Sequence, residues 1–166
     1  MLIVLLLLFN CNAEAGFESW KAGIDEVVDQ VESEYGNRAQ IVADKYESVE
    51  RDDLIAIITV ESNGNEQAVS STSVKGLTMI TLEVVDLIEE KEGITIDRLH
   101  PFESIFAAGW YLNYLMENYN FSIKEAHGAY FYGPSGLRNE LNDQRVEDLY
   151  HVKKIIHTKR IISENH

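Results

Sequence analysis

The sequence contains little cysteine and little proline, and both shortages limit the architecture. Its one cysteine, Cys11, lies near the start of the chain, so an internal disulfide and a site of paired cysteines are both excluded. Only two prolines occur in 166 residues, and neither a Gly/Ser-rich run nor a repeat at solenoid spacing marks a linker or an array. With 45% hydrophobic and 25% charged residues, the chain is predicted to fold as one water-soluble domain.

Basic side chains are also scarce. The chain has 14 lysines and arginines against 28 aspartates and glutamates, which gives a formal net charge of −14 at pH 7. Such a surface repels phosphate groups, so no nucleic acid is expected as a partner. A basic cluster near the C-terminal end is interpreted as the solvated face of a helix, with a specific anion site as the alternative. Its members are His151, Lys153, Lys154, His157, Lys159 and Arg160.

No apolar run reaches the roughly 20 residues that a membrane-spanning helix needs. The run from Leu2 to Phe9 has the length of a signal-peptide core, and Ala13-Glu14-Ala15 supplies the small residues of a cleavage site. We therefore predict a signal peptide over residues 1–15, a mature domain over residues 16–166, and export to the periplasm, cell envelope or medium. Because the leader lacks lysine and arginine, a retained anchor is the alternative, and membrane contact is expected only through an uncleaved leader.

What the mature chain does contain is helical periodicity. Between Phe17 and Val31, apolar residues recur at the spacing of an amphipathic helix, which Gly36-Asn37 is expected to end. The stretch from Ile41 to Tyr46 is consistent with a short helix. The apolar run from Leu54 to Val60 follows the capping carboxylates Asp52 and Asp53 and fits either a strand or a buried helix. The sequence leaves that choice open.

Capping and stop signals delimit the later helices. They are predicted from Thr81 through Glu90 with Gly93 as the stop, from Pro101 to Asn118–Asn120, from Ser122 to about Tyr132 before Gly133-Pro134-Ser135-Gly136, and from about Val146 to Ile162. The predicted fold class is mainly α, a single domain of packed helices.

Glu61 ends the apolar run and is followed by the polar turn Ser62-Asn63-Gly64-Asn65. A carboxyl group placed there is expected to be partly buried, which disfavours its charged form and raises its pKa. Such a group can donate a proton at neutral pH, as a glycosidase must to the leaving oxygen of a sugar–sugar bond. On this local feature alone, a carboxylate that only caps or solvates a helix end is the better explanation.

Three motifs in a fixed order favour catalysis instead. Glu61-Ser62 is followed by Gln67-Ala68-Val69-Ser70, by Lys75-Gly76-Leu77-Thr78-Met79 and, further along, by Ala129-Tyr130-Phe131-Tyr132-Gly133-Pro134. From about residue 51 to residue 136, the chain resembles the catalytic core of the soluble lytic transglycosylase and goose-type lysozyme superfamily, which is glycoside hydrolase family 23-like. The resemblance implies a lysozyme-like fold in which N- and C-terminal helices flank this core.

The resemblance also implies a reaction. Glu61 would protonate the β-1,4 glycosidic oxygen between N-acetylmuramic acid and N-acetylglucosamine in peptidoglycan and then act as the base, without a second carboxylate. The expected products carry 1,6-anhydro ends, with hydrolysis by water, as in a lysozyme, as the alternative. The substrate-binding residues that it implies are Ser70, Thr72, Met79, Tyr130 and Tyr132. A turn cap would equally explain Ser70, and a core aromatic residue would explain Tyr130.

Two residues depart from the pattern of the superfamily. Met79 stands where its members have glutamine, and Phe131 where they have asparagine, so two polar groups that frame the glycan are replaced by apolar ones. Each lost hydrogen bond should weaken sugar binding by around 1 kcal/mol. The departures motivate a second hypothesis, a catalytically silent module that binds peptidoglycan or serves assembly.

No other motif points to chemistry. The chain lacks a His-Glu-x-x-His motif, a Gly-rich phosphate loop and calcium-loop spacing, so no cofactor or metal is expected. His127 lies near the candidate cleft but is expected to be a packed or surface residue. The expected partners are peptidoglycan glycan strands and either an envelope-spanning machine or a phage lysis system.

Overall fold

The computed structural model describes residues 14–71, 73–142 and 144–165, which form seven α-helices and a short 3-10 helix. Residues 14–21 are helical and are named α1. The others are α2 (Ile24–Ala43), α3 (Arg51–Ser62), α4 (Leu82–Glu92), α5 (Pro101–Tyr119), α6 (Ile123–Glu140), the 3-10 helix (Val146–Asp148) and α7 (Tyr150–Glu164). Extended backbone pairs only at isolated bridges of Lys75 with Val69 and Ile80 in this part of the chain. The predicted mainly α class is confirmed.

Helix α3 lies at the centre of the molecule. Leu54 to Ile58 are five consecutive residues, none more than 1% exposed. Helices α2 and α7 both pack against it, and a helix that is apolar on all sides has to be covered in this way. The run from Leu54 to Val60 is therefore a buried helix rather than a strand. Asn63, in the left-handed conformation with φ 51°, ends it.

Local capping signals act as predicted at three later helices. The Thr81 hydroxyl accepts a hydrogen bond from the backbone N–H of Val84 at the start of α4. Pro101 occupies the first turn of α5. Ser122 and Glu125 form a reciprocal capping box at the start of α6. These three starts are fixed by neighbouring residues, which is why the sequence identifies them.

One predicted helix break was wrong. Helix α2 passes through Gly36-Asn37 and ends at Ala43, so the separate short helix expected from Ile41 to Tyr46 is largely the end of α2. Gly36 is buried where the Arg51 guanidinium lies so close that an added Cβ would be 2.7 Å from Nη2. This glycine makes room for a neighbour and does not break the helix.

The predicted break in α6 is present. At Gly133 the backbone leaves helical geometry, with φ 72° and ψ 160°. The sequence did not predict that a helical segment follows this kink and continues to Glu140. Near the end of the chain, the helix expected from Val146 is divided into the 3-10 turn and α7, which begins at Tyr150.

A buried ionic cluster joins α3, α6 and α7. The Asp53 carboxylate, 1% exposed, lies 2.9 Å from His127 Nε2 and 2.6 Å from Lys159 Nζ, and it accepts the backbone N–H of Glu50 at 2.9 Å. His127 is thus a packed residue, as expected. The C-terminal basic cluster was predicted to be a solvated face, and for Lys159 this prediction was wrong. The Lys159 ammonium pairs with Glu50 as well as Asp53, and these ion pairs join α7 to the start of α3. Asp53 caps α3 as predicted, whereas Asp52 pairs with Arg51.

The predicted leader lies almost wholly outside the described residues, and its cleavage stays a prediction. Among the helices of the described segments, none combines the length and the apolar character that a membrane span requires.

Candidate active site

Glu61 lies in the last turn of α3, where the buried helix reaches the surface. Its side chain is half-buried, and burial raises its pKa from an ordinary 4.5 to about 7, although the nearby Lys154 ammonium opposes the rise. Burial acts on the pKa because a carboxylate loses its hydration when water is excluded. At neutral pH about half of the molecules therefore carry a protonated Glu61, the form that can donate a proton.

Two side chains from other helices interact electrostatically with the Glu61 carboxyl. Lys154 of α7 does so directly, and Tyr130 of α6 interacts with the Glu61 carboxylate strongly enough that its own pKa is affected. Burial is the larger cause and raises the pKa of Tyr130 well above its ordinary value, so the phenol is neutral at neutral pH. Tyr130 was predicted from the sequence as a site residue. Lys154 was assigned instead to the solvated basic cluster near the C-terminal end.

Tyr130 is held by the backbone of the loop before α4. Its hydroxyl donates a hydrogen bond of 2.8 Å to the carbonyl oxygen of Thr78. Thr78 is in turn fixed, because its hydroxyl donates to the Ser104 carbonyl at 2.9 Å and its N–H donates to the Ser104 hydroxyl at 3.1 Å. These bonds join α6, the loop and α5 around the candidate site.

The loop is also bonded to the last turn of α3, through Ser62, the residue after Glu61. The Ser62 hydroxyl donates at 2.6 Å to the carbonyl oxygen of Leu77, and the Ser62 Oγ also lies 3.2 Å from the carbonyl oxygen of Ile58. Ser62 follows Glu61 directly, so this bond fixes the last turn of α3 relative to the loop.

Ser70 begins a tight turn within this loop. Its N–H donates to the Val74 carbonyl at 2.9 Å, and its hydroxyl accepts the Val74 N–H at 3.1 Å. The turn places the half-buried Ser70 on the loop that Ser62 and Tyr130 anchor. Thr72, the other candidate hydroxyl, lies outside the described residues.

Gly76 allows the loop to fold back on the segment before α5. Its φ is +84°, and a Cβ there would lie 1.7 Å from the carbonyl oxygen of Arg98, so no other residue fits without a shift of backbone. The Arg98 guanidinium then donates to the carbonyls of Ser73 and Ile80, at 3.0 and 3.2 Å. Met79, half-buried and also at positive φ (51°), lies between these attachments.

The segment after Tyr130 packs against the start of α7. Phe131, 46% exposed, stacks on the His151 ring with centroids 3.2 Å apart. The half-buried Tyr132 meets both rings edge-on, with centroids 4.8 Å from Phe131 and 6.2 Å from His151. Burial, reinforced by the Lys154 charge, lowers the pKa of His151 to about 4, so this imidazole is neutral at neutral pH. His151 and Lys154 are three residues apart and therefore lie on the same face of α7.

A groove of about 690 Å³ lies elsewhere among the described residues. It is lined mainly by α5, by the end of α4, and by Lys45 and Tyr46 after α2. None of the candidate site residues lines it, so the groove by itself gives no support to the Glu61 site. In the same described part of the chain, no three His, Cys, Asp or Glu side chains are grouped to hold a metal ion.

Comparison with known proteins agrees with these motifs. The transglycosylase SLT domain family model matches residues 28–152. The membrane-bound lytic murein transglycosylase F 1 of Alkalilimnicola ehrlichii is 38% identical over 77 residues, which are 46% of this chain and 15% of that relative. The chain is thus similar to a small part of a much longer protein.

Proposed function

Because the chain belongs to the transglycosylase SLT domain family, we propose that it is a peptidoglycan lytic transglycosylase in which Glu61 is the single catalytic acid and base. The observation that carries the proposal is the half-buried Glu61 carboxyl, whose pKa burial raises to about 7. A group with that pKa can give up a proton and take one back near neutral pH, as a two-step reaction with one carboxyl requires.

In the first step, the Glu61 carboxyl donates its proton to the glycosidic oxygen between N-acetylmuramic acid and N-acetylglucosamine. The bond from C1 of the muramic acid to that oxygen breaks, and its electron pair stays on the oxygen, which leaves as a hydroxyl of N-acetylglucosamine. The positive charge that develops at C1 is stabilised by the substrate's own N-acetyl group, so no second carboxylate is needed.

In the second step, the Glu61 carboxylate takes the proton from the C6 hydroxyl of the same muramic acid. The C6 oxygen then forms a bond to C1 and closes a 1,6-anhydro ring. Glu61 is again protonated. If water takes the place of that hydroxyl, the same steps give hydrolysis.

The surrounding residues are proposed to serve this reaction by position. Tyr130, neutral and bonded to the Thr78 carbonyl, supports Glu61 from α6, and Ser70, with Thr72 beside it in the sequence, contributes hydroxyl groups from the loop. Met79 and Tyr132 complete the set of proposed glycan contacts.

The exposed, apolar Phe131 favours a second candidate function, a silent module that docks on peptidoglycan without cleaving it. Its ring is 46% exposed, although it stacks on His151. It stands where a polar contact is expected in the superfamily, and a flat ring suits sugar binding more than bond cleavage. The intact Glu61 site supports the enzyme instead.

We further propose that the protein acts in the cell envelope, as an exported protein with peptidoglycan strands as its partner. The name of the relative, a membrane-bound lytic murein transglycosylase, supports this placement, and so does the sequence of the leader. An envelope-spanning machine or a phage lysis system is the proposed setting.

The test is to incubate the mature protein and its Glu61→Gln variant with isolated peptidoglycan and to identify the released muropeptides by mass spectrometry. Anhydro-muropeptides from the native protein alone are expected. Reducing-end products would make the protein a lysozyme. No release, with both proteins sedimenting equally with the glycan, would establish the silent module.

A further inference from the structure

The groove beside α5 has the make-up of a binding site. Its volume of about 690 Å³ falls within the range of about 300–1,000 Å³ that ligand sites occupy. Its lining combines four aromatic rings with two asparagine amides, two lysines and two glutamates. Ligand sites typically join aromatic surface to a few polar groups in this way. The function proposed for Glu61 makes no use of this groove.

The rings of the groove are held in place by their neighbours. The Trp110 indole N–H donates to the Glu92 carboxylate at 2.8 Å, which joins α5 to the end of α4. The Tyr114 ring stacks on the indole, with centroids 5.1 Å apart and planes 13° apart. The Lys45 ammonium lies 5.2 Å from the centroid of the Phe106 ring. Because these rings are already ordered, a ligand that packs on them loses little affinity to their ordering.

The charges of the groove balance, which favours an uncharged ligand. Its two ammonium groups are matched by two carboxylates, and Lys91 also pairs with Glu90 at 3.0 Å. Such a surface complements neither an anion nor a cation. Aromatic faces are negative and attract the C–H groups of a sugar ring. Asparagine amides both donate and accept hydrogen bonds, as N-acetyl and hydroxyl groups require of a partner.

We propose that this groove is a second glycan-binding site, which holds a stretch of N-acetylated sugar chain away from Glu61. The rings of Trp110 and Tyr114 pack on the sugar, and the half-buried Asn113 bonds to an N-acetyl group. The choice of this chain rests on the proposed function, since the strands of peptidoglycan consist of such sugars.

A row of aromatic rings leads from the groove to the candidate active site. The Tyr114 and Tyr111 rings are stacked with centroids 6.4 Å apart, and the Tyr111 ring lies 5.8 Å from that of Tyr130. Tyr130 is the residue proposed to support Glu61 from α6. Glycan bound in the groove therefore keeps the protein on the polymer while the Glu61 site stays open to a strand.

The test uses the two tryptophans of the chain as reporters. Nitrogen-15 NMR of Glu61→Gln, which should not cleave the probe, follows the indole N–H of Trp110 in the groove and that of Trp20 on α1 as the reference. Trp20→Phe assigns the two signals. The probe is chitotetraose, a chain of N-acetylglucosamine, compared with maltotetraose, which has no N-acetyl group, and with the free stem peptide of peptidoglycan.

The same titration is run on variants of the groove made in the Glu61→Gln protein. Tyr114→Ala removes a ring, Tyr114→Phe keeps it, and Asn113→Ala removes an amide. Tyr119→Ala is the matched control, because Tyr119 is an exposed tyrosine of the same helix that does not line the groove. Circular dichroism selects the folded variants, and Asn113→Ala decides if Tyr114→Ala does not fold.

We expect chitotetraose to shift the Trp110 signal to saturation while the Trp20 signal stays unchanged. Tyr114→Ala and Asn113→Ala should each weaken the affinity about fivefold or more, whereas Tyr114→Phe and Tyr119→Ala stay within about twofold. An unmoved Trp110 signal would overturn the proposal, as would equal binding of maltotetraose, binding of the stem peptide alone, or full affinity in a folded Tyr114→Ala. Muropeptide release by the native protein tests the proposed function separately, so a protein that releases muropeptides but binds no chitotetraose in the groove would refute this inference alone.

Discussion

At the scale of a residue, Glu61 combines an ionisable group with burial, and this combination costs stability. In the unfolded chain its carboxyl has the ordinary pKa of 4.5, whereas in the folded protein burial raises that pKa to about 7. The folded state therefore binds the proton more tightly than the unfolded state. The free energy of unfolding is unaffected by this group below pH 4.5, decreases as the pH rises toward 7, and stays at the reduced value above it.

Replacing Glu61 by glutamine should accordingly stabilise the protein, most of all at alkaline pH. The stabilisation at pH 8 should exceed that at pH 5 by about 1–2 kcal/mol, because glutamine has no charged form to desolvate. Urea denaturation of both proteins at the two pH values measures the difference. Glu89→Gln, at an exposed position on α4, is the control and should show no such dependence. Equal stabilisation at pH 5 and pH 8 would mean that burial does not perturb Glu61.

Some residues of the candidate site were predicted from the sequence and others were not, for a physical reason. Glu61, Ser70 and Tyr130 lie in motifs whose order along the chain could be recognised. Lys154 and His151 belong to a helix whose approach to Glu61 depends on packing between α3 and α7, which no local pattern records. From the sequence alone, Lys154 and His151 were predicted to face solvent because they belong to a cluster of basic residues.

At the scale of an element, the loop between α3 and α4 is shaped mainly by its contacts with the segment before α5. Gly76 packs against the backbone of Arg98, and the Arg98 side chain binds two carbonyls of the loop. Since the loop carries Ser70 and accepts the Tyr130 hydroxyl through Thr78, a disturbance at Gly76 should reach the candidate site.

Gly76→Ala should therefore impair both stability and activity. Gly93→Ala is a matched control, because Gly93 also has positive φ (+70°) but an added Cβ would meet nothing within 4 Å. The control should cost about 1 kcal/mol for the left-handed conformation, whereas Gly76→Ala should cost about 2 kcal/mol more because backbone has to move. Thermal unfolding measures the first effect and muropeptide release the second. A similar cost at both positions would show that the contact with Arg98 is not what constrains the loop.

Helix limits could be predicted where the signal is local and not where it depends on a distant neighbour. Thr81 and Ser122 cap their own helices, so the pattern is complete within four residues. Gly36 and Gly133 looked alike as helix breakers. Helix α2 passes through Gly36, which packs beside the Arg51 guanidinium, whereas Gly133 does interrupt its helix, which then resumes. The difference lies in tertiary contacts.

At the scale of the whole molecule, the Asp53 cluster connects three helices that the sequence could only describe separately. Burial alone would raise the pKa of Asp53, but the hydrogen bonds and charges of His127 and Lys159 outweigh it and lower that pKa below 3.8. The folded state thus favours the carboxylate. Its contribution to stability is complete above pH 3.8 and is lost as the pH falls through the lowered value.

Asp53→Asn should destabilise the protein by about 3 kcal/mol near neutral pH, because the buried charges of its partners are left uncompensated. Asp52→Asn is the control, since the neighbouring carboxylate is more exposed and pairs with Arg51 near the surface. It should change stability by less than about 1 kcal/mol. Denaturant unfolding at pH 7 gives both values, and an equal loss in the two variants would argue against the cluster as a tie between helices.

The class of the whole molecule could be predicted, whereas its assembly could not. Composition, periodicity and caps indicated one domain of helices. The packing of α3 between α2 and α7 depends on contacts between residues far apart in sequence, such as Asp53 with Lys159.

The central claim is that Glu61 works as a protonated acid, and the most direct test is the initial rate of muropeptide release from peptidoglycan between pH 5 and pH 9. The native rate should decrease about tenfold per pH unit well above pH 7, since only protonated Glu61 donates. Glu61→Gln should be slower by about a thousandfold or more at every pH. A native rate that still increases to pH 9, or release by Glu61→Gln within about tenfold of the native rate, would contradict the claim.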